Sequence, residues 1–396
     1  MRRNDLSHNI RKTLVQLPPP HANAYGVVPP DPPVAGGMLA GIERRHNAAV
    51  EALAQVEAYA KTLHDPYVVS RILTRQEAVS SSAIEGTHST LDELLADEET
   101  QDEEARTSVR QGRQYAAALD SYVQRAGRLG PKVFDSRIVP LVHRRVMRAD
   151  PDYRDTPGKL RTITVWIGGG DIAYSTFNPP PADRVAACLA ANVDYMRAEG
   201  LQAMQQSLLT RMAIAHAHFE AIHPFRDGNG RVGRLLLPMM MAAEQRTPLY
   251  LSAYIEANKH AYYGALKAAQ QREDWPAMVG FLSDAVVGST AELMRTRDAL
   301  TRLAEIWRRR RGFRRGSSAL RALTYLPQYP VVTIGRLADL LRVSFPAASK
   351  AVDQLCEVGV LQERTGYSRN RVFSAPEALT IMNRPFGAEP FLVDEG

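Results

Sequence analysis

His223-Pro224-Phe225-Arg226-Asp227-Gly228-Asn229-Gly230-Arg231-Val232-Gly233-Arg234 is the stretch from which the rest of the chain can be read. Gly228-Asn229-Gly230 is a short turn whose bare backbone can aim successive N–H groups at one anion, the arrangement of a phosphate nest. The run from 231 to 241 is apolar and helix-favouring apart from Pro238, so its N-terminus points at the same anion. Arg231 and Arg234, three apart on one helix face, can add forked bonds to further phosphates. Asp227, a hard oxygen ligand just ahead of the nest, is placed to hold a divalent ion such as Mg²⁺, which needs few protein ligands. His223 stands at the mouth, and a histidine can take a proton from an attacking hydroxyl near neutral pH.

The pattern His-x-Phe-x-Asp/Glu-Gly-Asn-Gly-Arg-x-x-Arg resembles the signature of the Fic domain family, with all eight fixed positions present. The resemblance implies a protein adenylyltransferase that moves AMP from ATP to a Ser, Thr or Tyr hydroxyl of a target protein or of itself. It implies His223 as the base, Asp227 as the Mg²⁺ ligand, and Phe225 as an internal anchor. Gly228, Asn229, Gly230, Val232 and Gly233 fall in the phosphate-cradling loop, with Arg231 and Arg234 as phosphate clamps. The segment 252 to 263 is similar to a further family segment near the nucleotide, which offers Asn258 and Tyr262 as adenosine contacts.

Upstream, Ser81-x-x-x-Glu85-Gly86 closes a helical pattern at a glycine and is similar to the inhibitory helix motif of Fic proteins. Glu85 is then expected to pair with Arg234 and to take the space of the ATP γ-phosphate, since a carboxylate competes for the same guanidinium fork. Residues 158 to 181 read as a β-hairpin around Gly168-Gly169-Gly170, which resembles the family's flap and could align an extended target by strand addition.

Other features are plainer. The 396 residues are 45% apolar, enough for two or three domains, and the net charge of +6 is modest. No apolar run exceeds about nine residues, too short to cross a bilayer, so a cytoplasmic protein without membrane contact is expected. Cys188 and Cys356 lack redox or ligand spacing. His216 and His218 fall on different helix faces and read as packing residues. Residues 1 to 36, rich in proline, read as an extended arm, and a first amphipathic helix spans about 43 to 63, with Val50, Leu53, Val56 and Leu63 on its apolar face. The acidic residues 91 to 108, among them Glu98, Glu99, Asp102, Glu103 and Glu104, read as a solvated helix face or loop.

Beyond an arginine-rich segment ending at Arg315, three short helices (319 to 326, 333 to 341, 344 to 358) and two strands around Gly366 resemble a winged helix-turn-helix module. Its third helix carries only Lys350 as a base, and its wing carries Arg364, Arg369 and Arg371; DNA and protein contacts both stay open.

The expected fold is mainly α: a helical regulatory segment (1 to 115), a Fic core with a β-hairpin flap (116 to 300) and a winged-helix domain (316 to 382). Two alternatives stand beside AMP transfer. One is removal of AMP at the same site, with Glu85 orienting a water; the other is a transcriptional regulator that uses ATP only as a signal. A homodimer is left open.

Overall fold

The computed structural model describes residues 1–34, 38–62, 66–100, 105–198, 205–365 and 371–392. Asp102, Glu103 and Glu104 of the acidic run, and Gly366 and Arg369 of the expected wing, lie outside the described residues. The chain is mainly helical, with two small antiparallel sheets.

Two helices form the centre. Helix α8 (Leu208–Ile222) is capped by Ser207, whose side chain accepts from the Thr210 amide. Helix α9 (Asn229–Ala243) begins at Asn229, two residues before the start expected from its apolar run. Both are buried nearly all round, as helices without a polar face must be. Around α9 pack α3 (Pro66–Ile84), α5 (Thr107–Leu129) and α6 (Ile138–Met147). Around α8 pack α7 (Ala182–Arg197), α11 (Lys259–Arg272) and α12 (Trp275–Arg309). Helix α2 (Glu43–Thr62) lies on α12 with Leu53 and Val56 inward, while Val50 is 43% exposed. One 18-residue window of α12 has mean hydropathy 1.2, the figure of a membrane span, yet 56% of it is buried against these helices. The boundaries expected at 115 and 300 fall inside α5 and α12, and α2, α3 and α5 share one core with α8 and α9.

The N-terminal arm is not simply extended. Its Ser7-capped helix α1 (His8–Lys12) leads into strand β1 (Leu14–Gln16), which pairs with β2 (Tyr25–Val27). Leu6, Ile10 and Val27 bury themselves against Phe177 and Ala221, because an apolar minority in a proline-rich arm still gains by leaving water. The Val27 amide donates to Asn178 O, and the Asn178 side chain donates to Tyr25 O, so the arm braces the base of the expected flap.

The flap itself is shorter in β structure than two runs would give. A single antiparallel bridge, Ile167 with Phe177, closes it. Gly168 and Gly169 adopt φ of 70° and 76°, and a 3-10 turn capped by Asp171 follows, which takes the intervening residues out of extended geometry. Added Cβ atoms there would overlap Thr176 Oγ1 and the Tyr174 carbonyl, so the turn needs glycine at both positions.

The described part of the acidic run is not a solvated face. Helix α4 (Leu91–Thr100) buries Leu91, Leu94 and Leu95, and its carboxylates are matched one by one. Glu98 binds Arg71 and Arg75 at 2.8 Å, Glu99 binds Arg336 at 3.0 Å, and Asp92 binds Arg364 at 2.8 Å. Arginines brought from distant parts of the sequence convert an apparent charge repulsion into an interlock.

After α12 the chain forms α13 (Ser318–Tyr325), β3 (Val331–Thr333), α14 (Ile334–Leu341), α15 (Phe345–Glu357), β4 (Gln362–Glu363), β5 (Val372–Ser374) and α16 (Pro376–Asn383). The strands lie in the order β3-β5-β4, all antiparallel. Strand β3 was not legible beforehand because Val331-Val332-Thr333 is only three residues between a proline and a helix cap. These elements share a second core with Leu303 and Trp307 of α12, Ile72 of α3, and Leu91 and Leu95 of α4.

Candidate active site

Helix α8 ends at Ile222, and His223 turns the chain in the left-handed region at φ 48° and ψ 63°, where histidine is better tolerated than most residues. The turn exposes carbonyls that a helix end leaves unpaired, and Arg161 collects them. Its Nε donates to His223 O at 2.8 Å, and its two terminal nitrogens donate to Ile163 O, Pro180 O and Ile222 O. One buried guanidinium therefore joins both ends of the flap to the histidine turn. With no carboxylate beside it, burial lowers Arg161 to about 10.

The loop that follows is closed by Asn229. Its Oδ1 accepts from Phe225 N and its Nδ2 donates to Phe225 O, both at 2.9 Å, so its side chain shapes the loop and keeps one N–H donor beyond these bonds. Phe225 is fully buried and stacks on His143 at 3.7 Å between ring centroids. The His143 ring accepts from Gly158 N through Nδ1 and donates to Asp227 O through Nε2, which fixes its tautomer, and burial lowers it to about 4. Gly228 sits at φ 79°, and a side chain there would overlap Met147 Sδ. The Asp227 carboxylate is exposed and accepts from Gly228 N at 2.6 Å.

The first turn of α9 leaves the N–H groups of Asn229, Gly230 and Arg231 without intrahelical partners. The Val232 amide is already bonded to Gly228 O and its side chain is in the core; Gly233 packs on Glu220, Phe219 and His216. Neither residue lines the cavity described below. The two arginines also part company. Arg231 is turned away toward Met147 Sδ and Asp150, whereas Arg234 enters the pocket. Helical spacing placed them on one face, but Asp150, three residues beyond α6, pairs with the first.

Arg234 is 2% exposed and held from three directions: Nε by Ser81 Oγ, and one terminal nitrogen by Ser81 O and by Glu85 Oε1 at 2.7 Å. Burial works to raise the Glu85 carboxyl, but the Arg234 guanidinium outweighs it and keeps it below its ordinary value. A methyl group on Gly230 would overlap Glu85 Oε1, so the carboxylate lies directly against the glycine that opens the nest.

These groups line a cavity of about 480 Å³. Glu85, Gly230 and Arg234 form one wall, Ile167, Gly168 and Thr176 of the flap a second, and Tyr262, Tyr263, Lys267 and Gln270 of α11 a third. Glu220 comes from α8 and His223 from the turn that ends it. Burial, with Arg161 next, lowers His223 to about 4, so the ring is neutral near pH 7, and its buried Nδ1 has no hydrogen-bond partner.

Tyr262 reaches the cavity while its hydroxyl meets His216 Nε2 at 2.7 Å. Asn258 does not line the cavity; its amide donates to Tyr254 O at the junction of α10 (Ser252–Ala257) and α11, where a helix end needs the bond. His218 is bonded to Pro30 O and Asn192. Among the described residues no group of three or more His, Cys, Asp or Glu could hold a metal.

Arg161, His143, Glu220, Tyr263, Lys267 and Gln270 were not singled out from the sequence. Tyr263, Lys267 and Gln270 recur at i, i+4 and i+7, a helical face that could have been followed from Tyr262. Glu220 is the one acid in an otherwise apolar helix run, and a buried polar residue is informative. Arg161 and His143 carried no such signal, because what they bind is backbone.

A model of the Fic/DOC family N-terminal region matches residues 44–124, and a model of the Fic/DOC family matches residues 134–241. A protein adenylyltransferase of Caenorhabditis briggsae is 37% identical over 129 residues, covering 32% of this chain and 22% of that protein. A probable protein adenylyltransferase of Aquifex aeolicus is 28% identical over 211 residues, covering 51% and 60%. The chain thus matches less than two thirds of the length of these relatives. Among solved structures, a Fic family protein of Desulfovibrio desulfuricans superposes with a TM-score of 0.52 at 19% identity, covering 88% of this chain and 98% of that one. A Fic-1 fragment of Caenorhabditis elegans gives 0.51 at 22% identity, covering 65% and 74%. At these identities the likeness concerns the fold.

Proposed function

With residues 44–124 and 134–241 forming Fic/DOC family regions, we propose that this chain is a nucleotidyltransferase that moves AMP from ATP to a hydroxyl of a protein. The observation that carries the reading is the neutral His223 ring in one cavity with the Gly230 backbone at the start of α9 and with Arg234. The target oxygen attacks the α-phosphorus, its proton passes to the His223 ring, and the bond to the β-phosphate oxygen breaks to release pyrophosphate. The free amides at the start of α9 stabilise charge on the α-phosphate, and Arg234 stabilises charge on the leaving group. The exposed Asp227 carboxylate fits an ion bound chiefly by phosphates and water, and Mg²⁺ held there would neutralise polyphosphate charge.

Glu85 restrains this reaction. It occupies Arg234 and lies against Gly230, which denies the polyphosphate both its guanidinium and its room. Removal of AMP remains a second reading, favoured by the ionised Glu85 carboxylate in the same cavity as His223, where it could orient a water.

The C-terminal elements are read as a winged helix-turn-helix unit of a cytoplasmic protein. Arg364 and Arg371 of its wing are engaged with Asp92 and Glu363, and Phe345 at the start of α15 is 58% exposed, which favours protein contact over DNA.

The test is incubation of wild type, Glu85→Gly and His223→Ala with Mg²⁺ and α-labelled ATP in lysate. Labelled protein should rise at least tenfold in Glu85→Gly, in line with removal of a competing ion pair, and vanish in His223→Ala. No label in any variant overturns the transfer reading.

A further inference from the structure

Glu220 lies in the last turn of α8, three residues ahead of His223 at the helix end, and both side chains line one cavity. Its carboxyl is 7% exposed, lines the same cavity as Arg234, and rests against Gly233, whose added Cβ would come within 2.6 Å of Oε1. That oxygen has no hydrogen-bond partner. A buried polar atom without a partner costs about 1–3 kcal/mol, and because Glu220 as a residue lines the ligand cavity, a ligand there can supply the partner once the carboxyl turns toward it.

Resting on the nucleotide reading above, we infer that the Glu220 carboxyl is a further ligand of the polyphosphate, donating a hydrogen bond to a phosphate oxygen beside Arg234. Only the un-ionised acid can donate, and a carboxylate there would repel phosphate. Burial, helped by Glu85 and opposed by Arg234, raises Glu220 to about 8, so it carries its proton at neutral pH. The groups around it are Glu85 just after α3, His216 of its own helix, His223 at that helix's end, Arg234 of α9, and Tyr262 of α11. Burial lowers His216 to about 3 and His223 to about 4, and it raises Tyr262 well above its ordinary value, so these three keep one charge state between pH 6 and 9. When Glu85 withdraws, Arg234 is freed and draws Glu220 toward ionisation in the empty cavity. Entry of ATP takes Arg234 and returns a proton to Glu220. Nucleotide binding and proton uptake are therefore linked through this side chain.

The experiment is titration of Mg²⁺-free ATP by calorimetry, from pH 6 to pH 9, into the full chain carrying Glu85→Gly, with and without Glu220→Gln or Glu220→Ala. The Gln variant keeps a donor and cannot ionise, and ATP's own ionisation is common to all. Relative to Gln, the parent should lose affinity at least tenfold from pH 6 to pH 9, as linkage to one proton requires. The Ala variant should bind about tenfold more weakly than Gln throughout, the worth of one hydrogen bond to a charged group. Thermal melts add a readout of folding. The Gln variant should melt above its parent at pH 8 and draw level with it only below the unfolded carboxyl value, about pH 4, because a raised carboxyl pKa penalises the folded state as pH rises from there. Equal pH profiles for parent and Gln, or unaltered binding by Ala, would overturn the inference while leaving the nucleotide reading intact. Failure of ATP to bind any variant overturns both.

Discussion

Four backbone carbonyls converge on Arg161, and with them the geometry of the histidine turn. Replacing it with methionine keeps the bulk and strands those carbonyls, so Arg161→Met should cost about 3 kcal/mol in denaturant unfolding. The same change should lower the labelling rate in a Glu85→Gly background, because a base displaced by an ångström loses much of its effect. His223 makes a second statement at this scale. Burial lowers its ring to about 4, and loss of Glu85 removes a charge that pulls it upward. The labelling rate should therefore show no acid limb due to this ring between pH 8 and pH 5; a limb centred near 6.5 would mean that water reaches it. His223 and Arg234 were legible from the charge and spacing of their motif, and Glu85 from the resemblance of its segment to an inhibitory helix. Asn229 and Arg231 were legible only as residue types, since an amide can close its own loop and an arginine can be drawn to a distant aspartate, and neither choice is written locally.

At the scale of elements, α4 shows how composition misleads. A run of acids reads as solvent-facing until the arginines of α3 and the C-terminal unit are brought to it. Glu98→Ala would leave Arg71 and Arg75 without their shared partner in a mostly buried setting. It should cost about 3 kcal/mol in chemical denaturation, against less than about 0.5 for a solvated glutamate. A cost near the smaller figure would return α4 to the surface. Helices with strong periodicity, such as α14 and α15, appear where expected, because 3.6-residue spacing is a local property. The flap and the N-terminal arm were harder to read. Each is held by bonds to the other, as between Asn178 and residues 25 and 27, and short extended pieces acquire structure only from such partners.

Across the whole molecule, two cores are joined by elements that belong to both. Helix α12 runs from the first into the second, where Trp307 donates to Glu377, and Ile72, Leu91 and Leu95 reach the second core from the N-terminal side. Unfolding should consequently appear as one calorimetric transition, with van't Hoff and calorimetric enthalpies in agreement. Two separated peaks would show that the cores melt apart. A chain ending at residue 315 should expose Ile72, Leu91, Leu95 and Trp307 together and lose solubility, as an uncovered apolar patch does. Gln76, two turns ahead of Glu85 on α3, donates to the Met382 carbonyl at the end of α16. In the language of gene recombination, the C-terminal unit is thus no interchangeable cassette. A lineage that swapped it for another module would have to supply, in the same event, a surface complementary to α3 and α4, or release the helix that carries Glu85.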